Sequence, residues 1–518
     1  MAHHRMRKNS LGSPMKKFDG RFFLAISIVT AALTATIFVN QIEQDDSTAD
    51  FGQVNDDSLL ASSMPEILGG SRSSSSWFCP GVPGLDKSVS GEIVVANSAE
   101  VPITGKITFL SSDGPAVSAT LVIQPFSQNI FDAKGGRRSK FVSAIVELDS
   151  GFAAVEQRII HPAGDSVALC ANKPSDSWFF ADGFTGAESL FNILLTNPFP
   201  DATVVDISFV TAEGKREPAA LKGLIIEPKS VYSLAMDEQG ARNEAVLAVI
   251  IRATTGRLVA GKLQHFLGRG RLGYTSALGA PSASRQWWFA GGQKNLDTDE
   301  QLVVLNPTDQ DKSVSIAFLT GVGEEIFREP LVLTIPAGRV TTLATSTLPA
   351  ITDGRYGIFV SSITDDFVTG TQDDSLEYIV VEQVLSRKVE KKTGTTVTLG
   401  APFGAPSKTW TIPSGVPPVG GSLVVANTTS LNAKLRFSTI GPAGLVAIEG
   451  LEQIELGAAG VVEVKIPATA TGLQLVLESD TEVVVQREVT RGHDLVGVSS
   501  VLGLPYRSSG ISGQDNKQ

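Results

Sequence analysis

Residues 193–215 read ILLTNPFPDATVVDISFVTAEGK. An aliphatic run ends on Asn197, a proline turn follows, and a second run alternates apolar and polar residues up to Phe209. Alternation with period two, bounded by turn residues, marks a pair of half-buried strands. Working outward, the same text recurs three more times, as IVVAN ending at Asn97, LVVLN at Asn306 and LVVAN at Asn427. The following strands carry Phe109, Phe318 and Phe437 in ITF, IAF and LRF, beside Phe209 in ISF. From Asn to Phe is twelve residues in the first three units and ten in the fourth. All five tryptophans stand ahead of these strands: Trp77, Trp178, the pair Trp287 and Trp288, and Trp410, at steps of 101, 109 and 123 residues. One fold copied four times suits a binding or spacing device better than a single active site.

The spacing predicts an all-β chain of four tandem Ig-like β-sandwich repeats, with seven or eight short strands per ~100 residues. Their expected bounds are 77–174, 175–284, 285–406 and 407–507. A hairpin turns near Pro125, Pro228 and Pro336, with IELGAAG around Gly457 in the fourth unit. A later hairpin turns at Asp149-Ser150-Gly151 and at Ser479-Asp480, and units close on CANKP, LGAP, LGAP and LGLP. Short connections between units imply a semi-rigid rod or a curved stack. Ahead of the repeats the reading gives a cytoplasmic basic tail (1–21), a transmembrane helix (22–40) and a disordered stalk (41–76). Within that stalk the apolar patch Met64–Leu68 is expected to dock locally. Residues 508–518 read as a disordered tail.

Net charge is −11 over 518 residues. Residues 1–21 hold six basic side chains against Asp19, a net of +5, which leaves −16 on the rest. An acidic body argues against nucleic acid as a partner through general charge attraction. Phe22 to Val39 is eighteen residues without a charge, close to the length that spans a ~30 Å hydrocarbon core. Basic residues precede it and Glu43, Asp45, Asp46 and Asp50 follow, which places the N-terminus in the cytoplasm and the body outside. An uncleaved single-pass anchor in the cell membrane is the favoured reading. A cleaved signal peptide competes with it, with Ser47-Thr48-Ala49 as the nearest small-residue site. Cys79 and Cys170, the two cysteines, are expected to clip the first and last strands of unit 1 in an oxidising compartment.

WFFADGFTG at 178–186, followed by the stretch quoted above, resembles a repeat common in secreted or membrane-anchored actinobacterial proteins of unknown function. Unit 3 keeps WFAGG and LNP but lacks the Thr-Gly, while units 1 and 4 have CPG and IPSG where the pattern has Ala-x-Gly. The resemblance loosely covers residues 77–506. It implies a β-sandwich and an envelope location, and it implies no activity.

Candidate chemistry is sparse. Trp77, Trp178 and Trp410 are expected to seal domain junctions with the indole N–H bonded to a loop, and the doubled Trp287 and Trp288 are the candidate ligand-contact aromatics. Asn97, Asn197, Asn306 and Asn427 are expected to bond their own backbone two residues on and close a turn. His161, His265 and His493 read as repeated surface or turn residues. Gln157, Gln264, Gln383 and Gln486 recur in all four units, as an edge strand or, more sharply, a shared ligand groove. The acids Asp365, Asp366, Asp373, Asp374 and Glu377 of unit 3 form no Ca²⁺ loop motif and read as a solvated hairpin. No GxSxG, HExxH, P-loop or Rossmann fingerprint occurs, so no catalytic residue, cofactor or metal site is assigned. The expected function is a non-enzymatic, membrane-anchored extracytoplasmic scaffold or adhesion protein of the bacterial envelope, with an envelope protein or a wall glycan as partner. The alternative is an envelope glycan-acting enzyme using the unit 3 carboxylates.

Overall fold

The computed structural model describes residues 64–69, 74–320, 330–349, 351–363, 378–415, 421–492 and 495–508. The predicted anchor, the basic tail and the chain beyond 508 lie outside the described residues. The chain divides into Met1–Asn55 and Asp56–Gln518, and every described residue belongs to the second unit. Among the described residues no helix is long and apolar enough to cross a membrane.

The described chain is nearly all β, in antiparallel sheets with short 3-10 turns. Four consecutive segments carry corresponding strands. In the first, one sheet holds Ser75–Phe78, Phe141–Leu148, Ile103–Ser111 and Val117–Ile123 in that order, and the other holds Ser166–Leu169, Ala153–Ile160, Ser90–Asn97 and Gln128–Asp132. The second segment builds the same two orders around Ser177–Phe180 and Arg271–Leu278, and the third around Gln286–Lys294 and Lys392–Leu399. In the fourth the sheets merge. The sequence suggested a turn at Ser479-Asp480, but Gln474–Thr490 is one 17-residue strand shared by both layers. Asp480 still acts as a corner, accepting from Lys434 N at 2.8 Å as Asp149 accepts from Thr104 N at 2.9 Å.

Each asparagine ends its strand fully enclosed. The Oδ1 atoms of Asn97, Asn197, Asn306 and Asn427 accept from the backbone N–H of Ala99, Phe199, Thr308 and Thr429. Their Nδ2 atoms donate to the carbonyl four residues on and to a facing loop, at Ile123, Ile226, Ile335 or Gly457. One amide therefore satisfies backbone groups from two turns that would otherwise be buried unpaired.

Trp77, Trp178, Trp287 and Trp410 are at most 1% exposed, and each belongs to a buried apolar cluster. The indole N–H of Trp178, Trp287 and Trp410 reaches the carbonyl of Leu258, Ile379 and Val483, one position in the ladder, at 2.9–3.0 Å. Trp77 uses Ser75 Oγ instead, at 3.3 Å.

Instead of a rod or an open stack, the segments close on themselves. The last strand of each, Ser166–Leu169, Arg271–Leu278, Lys392–Leu399 and Val498–Leu502, lies against the last strand of two others, and the first meets the fourth. The predicted stalk is also partly ordered. Ile67–Gly69 pairs in parallel with Tyr506, Arg507 and Ser508 at the end of the fourth segment, and Asn172 Nδ2 donates to Glu66 O at 2.8 Å. The final strand, Leu504–Ser508, thus runs past the point where the sequence predicted a disordered tail to begin.

Candidate functional site

The four last strands define an axis, and the ladder fixes which residues correspond along it. Glu156, Gly261, Glu382 and Gln486 pair with Leu169, Leu278, Leu399 and Leu502. Five residues before each leucine stands a glycine: Gly164, Gly273, Gly394 or Gly497. These four allow close approach at the axis. A Cβ on Gly164 would lie 2.8 Å from Arg491 Cδ, and one on Gly394 would lie 2.0 Å from Val496 O.

The positions paired with the leucines lock neighbouring segments together. Glu156 of the first segment meets Arg487 of the fourth, with Nη2–Oε2 at 2.8 Å, and accepts from Ser414 Oγ. Glu382 of the third meets Lys262 of the second at 2.7 Å and accepts from Asp182 N. Gln486 of the fourth accepts from Gly291 N of the third at 3.0 Å. Gly261 of the second segment has no side chain, and Pro80 of the first fills that space. One geometric relation thus recurs at all four seams with different chemistry. Burial pushes the Glu382 carboxyl up, and the Lys262 ammonium pulls against it.

A second enclosed carboxyl, Glu300, has no ion pair in its contact shell. It accepts from Thr345 Oγ1 at 2.6 Å, from the Tyr356 hydroxyl and from Gln383 Nε2. Burial raises its pKa, and these hydrogen bonds oppose the rise. The chain of contacts runs on from Gln383 to Gln486 and Ser500 Oγ.

At one end the axis is polar. Arg491 is 1% exposed, and its guanidinium donates to the carbonyls of Tyr274 and Thr395, from the second and third segments. Its own carbonyl accepts from Asp165 N of the first, so one residue touches all four segments. Burial lowers its pKa to about 10. Beside it the His161 ring stacks on Tyr274, centroids 4.0 Å apart, with His265 5.0 Å from His161. Burial holds His161 down to about 4 and lowers His265 as well. Of the three histidines read as repeated surface residues, His161 is buried at a seam and His493 lies outside the described residues.

At the other end the axis is apolar. Leu169, Leu278, Leu399 and Leu502 surround a cavity of about 70 Å³, whose lining also includes Val167, Ser276, Val397, Ser500 and Met64. No local motif announces this cavity in the sequence, because its lining is drawn from all four segments together with Met64 and Pro65. The recurring Leu-x-Ala/Leu ending was its trace.

The remaining predicted residues fall as follows. Cys79 and Cys170 are bonded, both fully buried, across a separation of 91 residues. Trp287 is 0% exposed and cannot touch a ligand. Trp288 is half-buried, and its ring is stacked on Phe359 at 4.1 Å. The four glutamines do not share a single register: Gln157 and Gln383 oppose the residue four before the asparagine, Gln264 the one six before, and Gln486 the one three before. A common groove built from them is therefore absent among the described residues. The acids at 365–377 lie outside the described residues. Among the described residues no group of three or more His, Cys, Asp or Glu could hold a metal ion.

A family model described as a family of unknown function (DUF5719) matches residues 149–374. No curated protein matches. Among solved structures, the crystal structure of Thermotoga maritima 1070 shares 17% identity at a TM-score of 0.18, covering 24% of this chain and 97% of that one. A tetra-tandem repeat in the extending region of a large adhesion protein shares 11% identity at a TM-score of 0.11, covering 80% of this chain and 94% of that one. Neither score is high enough to carry an argument.

Proposed function

We propose that the four segments are copies of one β-sandwich closed into a ring, and that the ring is a non-catalytic binding platform held outside a bacterial membrane by residues 22–40. The observation that carries this reading is the use made of the buried charge. Glu156 pairs with Arg487, Lys262 with Glu382 and Arg271 with Asp182; the first two pairs cross seams, and the third lies within the second segment beside one. Such groups fix the arrangement of copies and leave their outer faces to a partner. A buried disulfide supports a location in an oxidising compartment. The partner is an envelope protein or a wall glycan.

Crosslinking on intact cells, affinity purification of the full-length chain and mass spectrometry test this. One reproducible envelope protein, lost when Arg487→Met opens the closing seam, is the expected result. Retention of wall glycan alone would assign the platform to sugar. Recovery of neither, or of cytoplasmic proteins only, sinks the reading.

A further inference from the structure

We infer that the apolar end of the axis is a binding site for a short aliphatic molecule carrying one neutral hydrogen-bonding group. Three observations converge. The cavity is lined by leucines at one ladder position in all four segments, so its walls are held by every seam of the ring. Its volume, about 70 Å³, is several times the ~10–15 Å³ that one water needs on this measure, which admits roughly five to seven heavy atoms.

The third observation sets the polarity. Ser276 is 4% exposed, and its Oγ has no hydrogen-bond partner. Its backbone N–H is held by Ser166 Oγ at 2.8 Å, which fixes the residue in place. The corresponding positions are Val167, Val397 and Ser500, and the last already accepts from Gln486 at 2.6 Å. Ser276 therefore presents an unspent hydroxyl beside the apolar Leu278, Leu399, Val167 and Val397, an arrangement that favours a ligand atom able to meet it. Lys173 is the one ionisable side chain in the lining and it is exposed, so a charged head group would find no buried counterion, and a neutral alcohol, amide or ester is the chemistry that fits. Met64, 7% exposed, contributes to the lining an unbranched thioether that can repack around a guest.

Fluorine NMR of 3,3,3-trifluoropropan-1-ol, which has seven heavy atoms, with the full-length protein in detergent, against protein-free micelles, tests the site. Saturable binding is expected, about five-fold weaker in Ser276→Ala and lost in Leu399→Trp. Trifluoroacetate, also of seven heavy atoms, should bind at least ten-fold more weakly than the alcohol. Leu502→Phe serves as a second filling variant should Leu399→Trp not fold, and melting curves verify each. No saturable binding above the micelle blank overturns the site. So does binding unchanged by a folded filling variant. An affinity unchanged in Ser276→Ala, or a carboxylate as tight as the alcohol, overturns the assigned polarity.

Discussion

Replacing Arg487 by methionine opens the seam that joins the last segment to the first. Its side chain is 2% exposed and Glu156 is fully enclosed. The guanidinium holds Glu156 through two contacts, 2.8 and 3.3 Å, and also donates to Gly415 O at 2.8 Å and Ser414 Oγ at 3.0 Å. Methionine of similar reach leaves the carboxylate buried without its partner, at a cost of about 3–5 kcal/mol. If the ring melts as one body of some 450 residues, ~4 kcal/mol lowers Tm by only about 4 °C; if the fourth segment melts alone, the same loss lowers its transition by about 20 °C. Calorimetry of the full chain distinguishes the two, and the closed ring predicts the small shift in a single transition. Because the desolvation cost disappears when both charges go, Glu156→Met with Arg487→Met should recover most of the loss. A single variant within 1 kcal/mol of wild type, or a double variant as unstable as the sum of the singles, would refute the assigned role of this pair.

Three further outcomes follow from the same structure. Glu300 has a folded pKa above its unfolded value, so the folded state holds its proton more tightly; the stability this gives is present below about pH 4.5 and is lost as pH rises toward the folded pKa. Glu300→Gln should flatten that decline between pH 5 and 8 in urea midpoints, and an unaltered slope counts against it. Cys79→Ala with Cys170→Ala releases a loop of 91 residues and should cost about 4–5 kcal/mol by the chain-entropy model, read as a lower urea midpoint that reductant no longer changes. Asn306→Ala leaves the carbonyls of Gln310 and Ile335 without the donor that reaches them at 2.7 and 3.0 Å, and should destabilise by about 2–4 kcal/mol. A value below 1 kcal/mol would show that water replaces the amide.

What was legible in the sequence was local. Asn97 and its counterparts bond within four residues of themselves, so the motif and its structural job travel together in the text. The strand rhythm survives for the same reason. Glu156 and Arg487 stand 331 residues apart, and Arg491 meets its carbonyl partners 96 and 217 residues away, so nothing nearby marks them. The glutamines misled because a residue type was matched without its ladder position; the position that recurs is occupied by Gln157, Lys262, Gln383 and Arg487 in turn. Trp287 misled through its neighbour: a doubled aromatic on a strand sends one ring to each face, and only Trp288 faces outward from its own layer pair.

The parallel pairing of Ile67–Gly69 with Tyr506–Ser508 sets the beginning and the end of the ordered chain side by side. Order along the polypeptide is then nearly irrelevant to the final contacts. A gene that started at the third segment, ran through the fourth, crossed a short bridge to residue 64 and finished with the second would specify every seam described above. Such a permutant would move both termini to the junction near Pro281, which lines the same cavity as Met64 and Pro65, and so would keep the ends at that end of the axis while changing which segment is tethered.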